Sequence, residues 1–123
     1  MQSKTYIISG VGSGIGRAIT QKLASENHNC ILLGRNESSL KETLETLSGS
    51  NHQILVADIR DQNQLAKAAS KVNASFIDGI LANSGIGGEN YWGENDRWDE
   101  IINTNLTGTY NFVNTFFPML KEA

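Results

Sequence analysis

Short apolar runs alternate with stretches of helical period along the chain. Residues 5–9 (TYIIS), 30–34 (CILLG), 54–57 (ILVA) and 80–82 are brief, rich in branched side chains and bounded by polar or glycine positions, so they read as buried strands. Residues 15–27 predict a helix with Ile15, Ala18, Ile19 and Leu23 on one face. Asn36 is suited to cap a helix over 37–48, where Leu40, Leu44 and Leu47 form a stripe and Gly49 ends it. Asp61 caps a helix to about residue 73, with Leu65, Ala68, Ala69 and Val72 inward. After a glycine-rich loop over 86–95, a long helix starts near Asp96, and Pro118 kinks or ends it by removing the bond to Asn114.

This β-α-β-α-β-α-β-α alternation predicts an α/β fold, a doubly wound parallel sheet with helices on both faces. Right-handed crossovers give strand order 3-2-1-4. Strands 1 and 4 then leave the sheet in opposite directions, and the crevice between their carboxyl ends is the expected ligand site.

Composition narrows the classes without choosing among them. An apolar share of 39%, with 12 glycines besides, is ordinary for a globular chain of 123 residues and predicts one domain over 1–123. A net charge of -3 provides no basic footprint for nucleic acid or an anionic membrane. The single cysteine, Cys30, lies in an apolar run and reads as a small buried hydrophobe, which excludes a disulfide framework. Ahead of the glycines only Tyr6, Ile7 and Ile8 form an apolar run, too short for a signal peptide or a span. A reduced, cytoplasmic setting is expected. His28 and His52 lie in polar connections without metal-ligand spacing and read as surface residues.

The candidate chemistry clusters at strand ends. Gly10, Gly12, Gly14 and Gly16 fall between strand 1 and the first helix, with Ser13 and Ile15 among them. Glycine lets backbone turn sharply and approach a ligand closely, while the following helix start presents free N–H groups to an anion such as a diphosphate. Their Gly-x-x-x-Gly-x-Gly spacing differs from Gly-x-Gly-x-x-Gly. Strand 2 ends at Gly34-Arg35, with no carboxylate for ribose hydroxyls and a guanidinium suited to a 2′-phosphate. Arg35 is therefore either a determinant for NADPH over NADH or a solvated strand-end residue. Asp58, with Ile59 beside it, either accepts from an adenine amino group or merely shapes a turn before Asp61. Asn83, Ser84 and Gly85 open the other wall, where an asparagine braces the turn or simply begins a loop. Asn105 shares or borders a face with Trp98, Ile101, Ile102, Thr109, Phe112, Val113 and Phe116, which makes it a core cross-link or a functional group. Gly108 suggests close packing nearby. Glu94, Asp96, Asp99 and Glu100 suit a helix start, and Tyr91 and Trp92 line a substrate mouth or anchor the loop.

Together these residues resemble the short-chain dehydrogenase/reductase family, from Lys4 onward. Ser9-Gly10-x-x-x-Gly14-Ile15-Gly16 is similar to the family's Thr-Gly-x-x-x-Gly-Ile-Gly, and Asp58-Ile59 to its adenine-contacting position. Ala82-Asn83-Ser84-Gly85 looks like its Asn-Asn-Ala-Gly, departing at Ala82 and Ser84, and Trp98 through Gly108 like the helix with its structural and proton-relay asparagine, here Asn105. The resemblance implies a Rossmann-like NAD(P)-binding domain that stops after the fourth βα unit. It also implies NADP(H)-dependent hydride transfer on a small carbonyl or alcohol, with NAD(H) a secondary cofactor and no metal. A 3-oxoacyl carrier-protein reductase is one candidate substrate class, and a homo-oligomer is expected.

The family's serine, tyrosine and lysine would follow a fifth strand. No Tyr-x-x-x-Lys occurs here, since Gly10, Asn95 and Asn114 stand four residues after Tyr6, Tyr91 and Tyr110. The expectation is a cofactor-binding half, inactive alone, arising from an engineered truncation, a proteolytic fragment or a gene cut short. A non-catalytic dinucleotide-binding or interaction module is the alternative. A methyltransferase is disfavoured, because it would want an acidic residue where Gly34-Arg35 stands.

Overall fold

The computed structural model describes residues 3–12, 14–83 and 98–120. Its elements run β1 (Thr5–Ser9), α1 (Gly14–Ser25), β2 (Asn29–Gly34), α2 (Glu37–Glu45), β3 (Gln53–Val56), α3 (Gln62–Ser70) and β4 (Gly79–Leu81), followed by α4 (Trp98–Ile102) and α5 (Thr109–Phe116). A π-helical stretch, Asn103–Gly108, joins α4 to α5, and a 3-10 turn, Phe117–Met119, follows at Pro118. The sheet is wholly parallel with order β3-β2-β1-β4, as right-handed crossovers require. Ile7 pairs with Ile31 on one side and Ile80 on the other, and Leu32 with Ile54.

Side-chain alternation along these strands builds two cores, one on each face. Ile7, Ile31, Leu33 and Leu55 meet Leu65 and Ala68 of α3 and Phe112 and Phe116 of α5. Ile8, Cys30 and Leu32 meet Ala24 of α1 and Leu40 of α2 on the opposite face. Burial on both faces explains why the strands read as unbroken apolar runs.

The caps follow sequence closely. Asn36 accepts from the Ser39 amide, and Asp61 accepts from those of Asn63 and Gln64. Both satisfy N–H groups that a helix start leaves open, each contribution being about 1 kcal/mol.

Several expectations need correction. The fully buried positions of α1 are Gly16, Thr20 and Ala24; of the expected face Leu23 packs against the core and Ile19 is half-buried, whereas Ile15 is 72% exposed and Ala18 is exposed. The helix lies too close to the sheet for a larger stripe. α2 closes at Thr46, ahead of Gly49, which instead serves a separate turn with a positive φ of 85°. Asn105 is exposed, and the buried asparagine is Asn111. The two histidines are half-buried rather than surface residues. His28 accepts from the Lys4 amide and meets Tyr6 edge-on, and His52 accepts from the Cys30 amide. Beyond α5, Leu120 forms an isolated parallel bridge with Ile77, so the chain returns to the β4 side of the sheet.

Candidate functional site

The turn after β1 is shaped by two glycines with left-handed backbone, Gly10 at φ 70° and Gly14 at φ 60°. Among the described residues, a Cβ on Gly14 would meet nothing within 4 Å. Gly16 is the opposite case. A Cβ there would lie 1.9 Å from the Gly10 carbonyl oxygen and 2.7 Å from Asn83 Nδ2. Its absent side chain lets α1 sit directly against the turn.

Asn83 closes the other wall. Its Nδ2 donates to the Gly10 carbonyl at 3.1 Å, and its backbone N–H donates to Ser9 Oγ at 3.0 Å. The bend and the carboxyl end of β4 are thus adjacent, joined across 73 residues of sequence.

Two further residues grip the turn from outside. Thr43 Oγ1, fully buried, donates to the Val11 carbonyl at 2.7 Å and accepts from Arg17 Nε at 2.9 Å. Arg17 Nη2 donates to the Gly12 carbonyl. Neither Arg17 nor Thr43 was foreseen, because no local spacing connects α2 to the glycine turn.

Beyond the turn opens a cleft of about 230 Å³. It is lined by Gly10, Val11 and Gly12 after β1, by Arg35, Asn36 and Ser39 around the start of α2, and by Asp58, Ile59, Arg60 and Thr104. Arg35 is exposed and has no ion-pair partner among the described residues. Asp58 is half-buried and engaged by Arg60, whose hydrogen bonds hold its carboxyl below the usual carboxylate range. Arg60 carries a local sequence signal. It stands two residues after an aspartate in a turn, where the carboxylate can accept from its amide, and the distance is 2.9 Å.

Among the predicted positions, Gly10, Arg35, Asp58 and Ile59 line this cleft. Gly16 and Asn83 adjoin it through the Gly10 carbonyl. Ile15 points to solvent. Asn105 lies in the π-helical stretch, one residue after the cleft-lining Thr104. Asn111, six positions on, is buried and ties this helix to the segment after β3: its Nδ2 donates to the Ile59 carbonyl and its Oδ1 accepts from Gln62. Gly108 packs on Ile59, where a Cβ would come within 2.8 Å. Ser13, Ser84, Gly85, Tyr91, Trp92, Glu94 and Asp96 lie outside the described residues. Among the described residues no cluster of His, Cys, Asp and Glu could hold a metal ion.

Comparison with known proteins points the same way. The chain is 29% identical to an NADPH-dependent pterin aldehyde reductase of Arabidopsis thaliana, covering 96% of this chain and 51% of that protein. It is 27% identical to an uncharacterised oxidoreductase of Staphylococcus saprophyticus, covering 100% of this chain and 56% of the other. A Brucella melitensis crystal structure, a short-chain dehydrogenase/reductase of the glucose/ribitol dehydrogenase kind, superposes with a TM-score of 0.86 at 25% identity, over 97% of this chain and 51% of that one. The chain therefore spans about half the length of the curated relatives it matches. A sequence model of the short chain dehydrogenase family matches residues 4–123, and the chain belongs to that family.

Proposed function

We propose that this chain holds the cofactor of an NADP(H)-dependent oxidoreductase acting on a small carbonyl or alcohol. The observation that carries the reading is the glycine turn seated against Asn83, with an open cleft running from it to Arg35 and Asp58. The residues fit a dinucleotide. The turn offers amides for the diphosphate and a helix start at Gly14 that no described residue crowds, with Ser13, Ile15 and Gly16 completing it. Asp58 and Ile59 suit the adenine edge, and Arg35 suits a 2′-phosphate. Asn83, Ser84 and Gly85 brace the nicotinamide side, and Asn105 supplies the proton-relay group by family resemblance. The bound nicotinamide would supply the hydride.

Support for NADP(H) over NAD(H) comes from Arg35 and from the NADPH dependence in the name of the Arabidopsis relative. Isothermal calorimetry tests it: NADPH should bind more tightly than NADH, and Arg35→Asp should erase the difference. An unchanged ratio would remove Arg35 from the site.

The absence of Tyr-x-x-x-Lys from these 123 residues favours a chain that binds without turning over. The purified chain should reduce no carbonyl substrate with NADPH. Measurable turnover would place the catalytic groups among the residues present. The same absence supports the second reading, a non-catalytic dinucleotide-binding or interaction module. We place the protein in the reduced cytoplasm because its one thiol is buried and unpaired. Among the described residues no helix is long and apolar enough to cross a membrane.

A further inference from the structure

Arg60 grips Asp58 at both carboxylate oxygens. Its backbone N–H and Nε reach Oδ1 at 2.9 and 3.0 Å, and Nε and Nη2 reach Oδ2 at 3.2 and 2.7 Å. Both side chains are largely withdrawn from water, at 21% exposure for Asp58 and 31% for Arg60. Such charge-assisted, two-pronged contact is the strong form of an ion pair. Arg35 lines the same cleft and lies close enough for its charge to act on Asp58. Glu100, on α4, adds a weaker field on Arg60 and does not line the cleft.

These contacts settle how the cleft's charges divide. Among the described residues Asp58 is the lone carboxylate lining the cleft, and paired with Arg60 it forms a unit of zero net charge, so the positive charge of Arg35 remains in excess. Without Arg60, the same carboxylate would turn its charge on Arg35 and on any phosphate arriving beside it. We propose that Arg60 is a specificity-determining residue for the cofactor's 2′-phosphate, acting by sequestering Asp58 and leaving Arg35 uncompensated. The inference rests on the cofactor reading above and adds to it a second residue that need not touch the phosphate.

Calorimetric titration of the 123-residue chain with NADPH and NADH tests it, using Arg60→Met, Asp58→Asn and the double variant. Arg60→Met should lower the NADPH/NADH affinity ratio by on the order of tenfold, the scale of a unit charge several ångströms away and partly screened by water in an open cleft. Adding Asp58→Asn should restore the ratio, because the repelling charge is gone, even if both cofactors then bind more weakly through a poorer adenine contact. A merely structural Arg60 would weaken both cofactors alike and show no such rescue. An unchanged ratio in Arg60→Met, or a double variant that stays as low as the single one, overturns the proposal. A parent chain without NADPH preference overturns the cofactor reading itself, and this inference with it.

Discussion

Gly16 has no room for a methyl group. The obstacle is backbone, the Gly10 carbonyl, so no side-chain rotation can relieve it. Gly16→Ala should cost at least about 3 kcal/mol in thermal or denaturant unfolding, and should abolish dinucleotide binding in whatever fraction still folds. Cys30 makes a different point. Burial pushes its thiol from 9.0 up to about 11. The native chain should therefore ignore a disulfide reagent at pH 8. Because the unfolded thiol ionises first, the native state is favoured below about pH 9 and loses that advantage as pH rises towards 11. Asp58 has the opposite sign. Its lowered value means that its stabilising effect is complete above about pH 4 and fades as pH falls further. Unfolding midpoints followed across pH should show a flatter alkaline limb in Cys30→Ala and a flatter acid limb in Asp58→Asn.

At the scale of elements, strands and helix starts were legible, and helix faces and ends were not. A cap needs only its own residue and the amides two or three positions on, so Asn36 and Asp61 announce themselves. A face needs unbroken geometry. The π-helical stretch, Asn103–Gly108, widens one turn, so a 3.6-residue period carried from Trp98 through it points Asn105 inward and misses Asn111. The Arg17–Thr43 grip on the glycine turn escapes sequence reading because its partners are 26 and 32 positions apart. Thr43→Val keeps the shape but strands the Val11 carbonyl and Arg17 Nε. We expect a loss of about 1–3 kcal/mol in stability. Binding of NADPH should weaken while a bare adenosine 2′-phosphate binds unchanged, and equal weakening of both ligands would deny the grip any role in shaping the diphosphate turn.

Across the whole molecule, topology accounts for the location of the cleft, since order β3-β2-β1-β4 leaves β1 and β4 diverging above it. The same architecture leaves a stripe outside. Leu106, Tyr110 and Phe117 are each more than 60% exposed, and Val113 37%, at positions four, three and four apart along one helical side. We expect this stripe to associate, so light scattering should report a mass above that of the monomer, and Tyr110→Glu with Val113→Glu should reduce it. A clean monomer in the parent chain would mean that the stripe seeks no second copy. Asn83 carries a further consequence. Its side chain donates to the Gly10 carbonyl and its amide to Ser9 Oγ, so the end of β4 is tied to the start of the glycine turn. That tie is made by the fold itself, which lowers the ordering that association with a guest must still supply.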